Sequence, residues 1–161
     1  MGVEILPAGL AHCAVLAGLH GYCFRAAWAE DEFARLLAMP GAFAMLAGRR
    51  GVMNSGMTNS YPIGFALARA AGGECEIITL GVLPVGRGRG VGRRLVAATA
   101  AEAAASGARE LRLEVADNNI AALNLYRSNG FRSVGRYNSY YRNLNGGEVD
   151  AVVMHRTLAL S

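Results

Sequence analysis

One stretch constrains this chain more than any other: Val82-Leu83-Pro84-Val85-Gly86-Arg87-Gly88-Arg89-Gly90-Val91-Gly92-Arg93-Arg94-Leu95-Val96. An apolar strand, read as Glu76 to Val82, runs into it. An Ala-rich helix free of interior Gly and Pro runs out of it to about Ser106, where Gly107 ends it. A Gly-rich turn between strand and helix leaves several backbone N–H groups unpaired, pointing one way, at the positive end of the helix dipole. That is an anion site, and glycine there lets a phosphate approach the backbone closely.

The anion-binding pattern can be narrowed. A Walker loop needs Gly-Lys-Ser/Thr at its end, and Gly92 is followed by Arg93-Arg94. A Rossmann fingerprint starting at Gly88-Arg89-Gly90 needs glycine at position 93, which is arginine. The arrangement Arg87-x-x-Gly90-x-Gly92 resembles the R/Q-x-x-G-x-G/A pyrophosphate loop of the GNAT acyltransferases, which hold acetyl-coenzyme A. The plain alternative is an ordinary Gly-rich turn beside a solvated Arg patch.

The following segment reinforces the resemblance. Leu111-Arg112-Leu113-Glu114-Val115-Ala116 alternates like a strand. Asp117, Asn118 or Asn119 can cap a helix on which Ile120, Leu123 and Tyr126/Arg127 repeat at helical spacing, and Asn129-Gly130 stops it. The run L-E-V, N-x-x-A-x-x-L-Y, then G-F, with Tyr140-Tyr141 and a late Glu148-Val149-Asp150-Ala151 strand, is similar to the ribosomal-protein-alanine N-acetyltransferase branch of that family (RimI type). The similarity is strong over the second half of the chain and generic over the first.

The 161 residues suit one domain, residues 1–161, and a hydrophobic content of 53% supplies a single core. No run of about 18 apolar residues is present for a membrane span, and no signal-type N-terminus, so a cytoplasmic protein is expected. Cys13, Cys23 and Cys75 lack C-x-x-C spacing and read as reduced buried thiols; no metal site and no nucleophilic cysteine is expected. The net charge of +4 suits a phosphate-rich cosubstrate, and equally nucleic acid or a ribosome.

The elements read as a strand at Val3–Leu6, a helical region starting at Pro7 with Leu10, Ala14, Leu16, Ala17 and Leu19 on one face, and a short helix at Glu30–Met39. Strands follow at Ala42–Ala47 and Tyr61–Arg69. A mobile loop is read at Asn54–Ser60 within a longer 48–60 insertion. Ala71-Gly72-Gly73 turns into the strand ending at Val82. After the Gly-rich helix come strands at Glu110–Val115, about Val134–Arg142 and Glu148–Thr157, with a loop from Asn143 to Gly147. The order is that of an α/β fold with a mixed, mostly antiparallel sheet and helices on both faces, which is the GNAT order. In that family the strand ending at Val82 and the strand carrying Glu114 splay apart, and the pantetheine of the cosubstrate fills the gap.

Acetyl transfer to an amine needs a neutral amine, a stabilised oxyanion and a proton for the leaving thiolate. An α-amino group, with a pKa near 8 against about 10.4 for lysine, needs only a weak base. The resemblance implies Glu114 as that base, acting through water, and Tyr126 as the acid. Glu76 is the rival base. The plain alternatives are a strand Glu114 paired with Arg112 or Arg142, and a core Tyr126. The resemblance further implies that Val82 offers its N–H to the thioester carbonyl and that Leu80 and Gly81 pair with pantetheine amides. Arg87, Gly88, Arg89, Gly90, Val91, Gly92 and Arg93 then cradle the pyrophosphate. Asn119 bonds the cosubstrate, caps the helix, or both.

Tyr140 and Tyr141 border the acceptor site, but strand alternation sends them to opposite faces. Glu148 and Asp150 neutralise a basic peptide or are simple edge-strand charges. Leu83, where a polar residue is common, and Arg87, where Gln is commoner, depart from the family pattern. The function so implied is transfer of the acetyl group of acetyl-coenzyme A to a protein N-terminus, the alanine of a ribosomal protein, with no nucleic acid or membrane partner. The alternatives are acetylation of a small amine, an antibiotic or a lysine, and a non-catalytic basic RNA- or ribosome-binding module.

Overall fold

A computed structural model describes residues 2–52, 58–142 and 147–159. Seven strands form one sheet: β1 (Val3–Ala8), β2 (Ala42–Val52), β3 (Thr58–Ala71), β4 (Glu74–Val82), β5 (Glu110–Ala116), β6 (Arg132–Arg142) and β7 (Glu148–Thr157). The spatial order is β1-β2-β3-β4-β5-β7-β6. All neighbours are antiparallel except β4 and β5. The helices are α1 (Cys13–Cys23), α2 (Glu30–Leu37), α3 (Val91–Ala105) and α4 (Ile120–Ser128). No described helix is long and apolar enough to cross a membrane.

Alternation along the strands gives the sheet two apolar faces, and helices cover both. On one face, Val96, Ala100 and Ala103 of α3 and Leu123 and Tyr126 of α4 pack on Ile77, Leu111, Leu113 and Met154. On the other, Leu16 and Leu19 of α1 and Phe33 of α2 pack on Phe65 and Leu67. His20 is buried there between the rings of Phe24 and Trp28, with centroids 4.5 and 4.6 Å away. Its Nδ1 accepts the Trp28 N–H at 3.1 Å, and burial lowers its pKa. It is a neutral core imidazole.

Two expectations of local structure are corrected. Pro7 does not start a helix; it lies in β1, opposite Met45. Only an edge strand readily tolerates a residue with no N–H to donate, and β1 is an edge. The helix starts instead at Cys13, after a 3-10 turn at Leu10–His12, where the Gly9 N–H donates to His12 Nδ1 at 3.0 Å. That shift leaves Leu10 62% exposed rather than on the buried face. The 48–60 insertion is also mostly sheet: Gly48 pairs with Pro62, Arg50 with Ser60 and Val52 with Thr58. Ladder hydrogen bonds there override a polar composition. The remainder of that loop, 53–57, and residues 143–146 of the second loop lie outside the described residues.

Candidate active site

The site begins where the sheet comes apart. β4 and β5 pair in parallel only at Glu74–Glu110, Cys75–Leu111 and Glu76–Arg112. Beyond that vertex, β4 stays with β3 as far as Val82, and β5 stays with β7 as far as Ala116. A gap therefore opens between Ile77–Val82 and Leu113–Ala116, as the resemblance implied. Leu80, Gly81 and Val82 form its rim on the β4 side. An added Cβ on Gly81 would stand 2.8 Å from the Phe65 ring and 2.9 Å from Cys23 Sγ, so β4 and α1 approach at a glycine.

The turn after β4 closes the gap at one end. A 3-10 turn at Pro84–Gly86 leads into Gly88 and Gly90, both left-handed at φ 73° and 78°. Nothing lies within 4 Å of a Cβ built on either, so open space faces the backbone there. Gly90 caps α3, and among the described residues no side chain caps the first amides of this 15-residue helix. This leaves N–H groups at the positive end of the helix dipole, the arrangement an anion requires. Val91 can contribute only backbone, because its side chain is buried against Ile63 and Leu95. Gly92 has a packing role: a Cβ there would meet Leu125 Cδ2 of α4 at 3.0 Å.

The arginines of the turn divide. Arg87 Nε donates to the Val82 carbonyl at 2.9 Å. Arg94 donates to the Val3 carbonyl and so ties α3 to β1. Arg89 and Arg93 are exposed beside the turn. Among the cysteines, burial pushes the Cys75 thiol up to about 11 and also raises Cys13. Buried thiols of this kind are poor nucleophiles.

On the opposite side of the gap, Glu114 sits in β5 with its side chain 16% exposed. Its Oε1 is 3.0 Å from Arg112 Nη2, the pairing that the sequence offered as the plain alternative. Arg112 also donates to the Tyr137 hydroxyl at 3.2 Å, and its Nη1 is 4.0 Å from Glu76. One guanidinium at the vertex thus gathers groups from β4, β5 and β6. Interaction with the Glu114 carboxylate, hydrogen-bonding first and then its charge, raises the Tyr140 pKa. Burial and then Glu114 push Tyr141 up to about 12.

Tyr140 stacks on Tyr137 at 5.7 Å and meets Tyr141 edge to face at 4.9 Å, so three tyrosines gather beside the Arg112–Glu114 pair, to which the Tyr137 hydroxyl is bonded. Alternation had placed Tyr140 and Tyr141 on opposite faces. The reason is a bulge: Tyr137 pairs with Ala151 and Tyr141 with Val149, so four residue steps of β6 oppose two of β7. Ser139, at φ 53°, makes the bend. The polar pair Asn138-Ser139 inside an aromatic strand was the one available signal for it, and Tyr137 was missed with it.

Tyr126 sits on α4, 7% exposed, edge to face with Phe131 at 5.5 Å. Burial first, and then Tyr141, push its pKa up to about 12, so the phenol is fully protonated at neutral pH. Asn119 caps α4, its Oδ1 accepting the Ala122 N–H at 3.2 Å. Asp150 is occupied within the fold, bonded to Arg136 and to the Ser139 N–H. Glu148 is exposed at the start of β7.

The comparisons agree with this geometry. The profile of the Acetyltransferase (GNAT) family matches residues 16–131. The chain is 38% identical over 129 residues to the N-alpha-acetyltransferase RimI of Mycobacterium tuberculosis, covering 80% of this chain and 75% of that protein. It is 33% identical over 96 residues to the ribosomal protein bS18-alanine N-acetyltransferase of Haemophilus influenzae, covering 60% and 65%. The crystal structure of the ribosomal-protein-S18-alanine N-acetyltransferase from Escherichia coli superposes with a TM-score of 0.83 at 22% identity, covering 99% of this chain and 96% of that one. A strand–turn–helix anion cradle beside a splayed sheet, on a chain whose sequence matches the family over most of its length, has one reading: the protein is an acetyltransferase of the GNAT family, with acetyl-coenzyme A as its acyl donor.

Proposed function

We propose that the acceptor is the α-amino group of a protein N-terminus, the alanine of a ribosomal protein, with Glu114 as base and Tyr126 as acid. The observation that carries this reading is the cluster of Tyr137, Tyr140 and Tyr141 beside the Arg112–Glu114 pair on the β5 side of the gap. The names of the two relatives, an N-alpha-acetyltransferase and a bS18-alanine N-acetyltransferase, support it.

Acetyl-coenzyme A supplies the activated acyl carbon. The residues of this chain do the rest. The uncapped amides from Gly88 to Arg93, with the side chains of Arg89 and Arg93, hold the pyrophosphate. Leu80 offers its backbone to the donor in the gap, and the Val82 N–H, two residues on and so on the same side, is the donor available to the acyl oxygen as charge develops; Gly81, expected to join them, is paired with Phe65 of β3. Asn119 keeps its cap and offers its amide nitrogen to the donor. Glu114 takes the amine proton through one water. Tyr126, still loaded with its proton at neutral pH, gives it to the departing sulfur. Tyr140 and Tyr141 flank the entering amine. Glu76, 50% exposed and 4.0 Å from Arg112, is the rival base.

The test uses two peptides and intact-mass spectrometry. One starts with a free alanine followed by basic residues. The other has the same sequence with a blocked N-terminus and an internal lysine. Acetylation of the first alone is expected. Acetylation of the blocked peptide at an equal rate would move the acceptor to lysine. Acetylation of neither, with no thermal protection by coenzyme A, would favour a non-catalytic basic module, since a bound ligand must stabilise the folded state.

A further inference from the structure

The bulge in β6 is held from two strands at once. From β5, Arg112 bonds the Tyr137 hydroxyl at its start. From β7, Asp150 Oδ1 accepts the Ser139 N–H at 2.9 Å, at the one described non-glycine residue with a left-handed backbone. Asp150 Oδ2 is 2.9 Å from Arg136 Nη1, which is also 2.9 Å from Asp117 Oδ2. Asp117 lies at the end of β5, two residues before the cap of α4, the helix that carries Tyr126.

We propose that Asp150, with Arg136 and Asp117, is a latch that sets acceptor binding: it fixes the β6 bulge and so holds Tyr140 and Tyr141 beside the Arg112–Glu114 pair. This rests on the reading of Glu114 and the two tyrosines as the acceptor side of the site. Asp150 is a positioning residue, acting through Ser139.

Three observations carry the inference. First, a regular β6 would send Tyr140 to the face opposite Tyr137 and Tyr141, and the two extra residues bring its ring onto both. Second, a serine in the left-handed region is unfavourable by itself, so the bend needs a bond that rewards it. The Asp150 carboxylate supplies that bond, and the Ser139 N–H, followed by Arg136, holds its pKa below the ordinary value. Third, the three latch side chains are 31% to 49% exposed. Exposed ion pairs contribute little to global stability, so a role in placing the tyrosines separates from a role in holding the fold.

The test compares Asp150→Ala, Asp150→Asn and Arg136→Ala in the full chain. Steady-state kinetics with the alanine-starting peptide are read beside amide hydrogen exchange at Ser139. Asp150→Ala is expected to raise the acceptor KM about tenfold, as misplacement of a binding group does, with the acetyl-coenzyme A KM unchanged. The Ser139 amide should exchange faster. Asp150→Asn retains an oxygen for the Ser139 N–H and should recover most of both losses; Arg136→Ala should fall between. An unchanged acceptor KM in Asp150→Ala overturns the proposal. So does equal worsening of both KM values together with a fall in Tm, which marks a general structural role. If the unmodified protein acetylates no peptide, the acceptor reading fails by itself. Exchange at Ser139 then still decides the latch, and an unchanged rate in Asp150→Ala overturns it.

Discussion

Tyr126→Phe lowers kcat by about a hundredfold, the lower end of what a general acid contributes, with both KM values nearly unchanged. The expectation follows from what the substitution leaves in place. Tyr126 is a core residue of the α4 face, packed with Leu123, Phe131 and Met154. Phenylalanine retains that packing and the edge-to-face contact with Phe131. Only the hydroxyl, and with it the transferable proton, is lost. A loss confined to kcat marks an interaction made in the transition state.

The pH profile of the unmodified protein adds a second reading. The Tyr126 pKa is raised to about 12, so its phenol stays loaded as pH rises through 10, where an unperturbed tyrosine is half ionised. The acid function should therefore persist through pH 10 and disappear only near 12. A kcat that is unaffected in Tyr126→Phe would make this residue plain core.

Gly41→Ala is the substitution expected to cost the most stability, about 3 to 5 kcal/mol. Gly41 joins α2 to β2 at φ 80°, and its carbonyl accepts the Ala70 N–H at 2.9 Å. A Cβ at this position would stand 1.9 Å from the Ala70 carbonyl oxygen. The obstacle is backbone of the neighbouring strand, which no rotamer change can relieve. Gly72→Ala is the control: φ is 61°, also left-handed, but nothing lies within 4 Å of the added Cβ. Strain alone should cost that variant about 1 kcal/mol. Urea unfolding of the two variants separates strain from collision. Equal costs would show that β2 and β3 do not approach at Gly41 as described.

The backbone of the Gly-rich turn and the cap of α4 were legible in the sequence, and the tyrosine cluster of β6 only in part. Local chemistry explains the difference. Gly88 and Gly90 have left-handed backbones, and Asn119 caps its own helix through a residue three positions on. Such features announce themselves within a few residues. Even there, Gly92 was read for phosphate and is also required for the approach of Leu125 from α4. The order of elements along the chain followed from alternation and turn residues, while Pro7 was misplaced because its tolerance depends on β1 being an edge.

The acceptor side depends on a partner distant in the chain. The N–H of the bent Ser139 is accepted by Asp150, eleven residues away on another strand. Nothing in the spacing of Tyr140 and Tyr141 announces that bond. Glu114 was singled out, with pairing to Arg112 or Arg142 as the plain alternative, but the reach of Arg112 to Tyr137 and Glu76 requires the sheet to be assembled.

The most direct measurement compares kcat for Glu114→Gln and Glu76→Gln on the peptide with the free N-terminal alanine, at saturating acetyl-coenzyme A. Both substitutions keep side-chain size and remove a carboxylate within reach of the same guanidinium. Loss of about a hundredfold in Glu114→Gln, with Glu76→Gln within a fewfold of the unmodified protein, is the predicted result. The reverse order, or two equal and small losses, would contradict the assignment of the base.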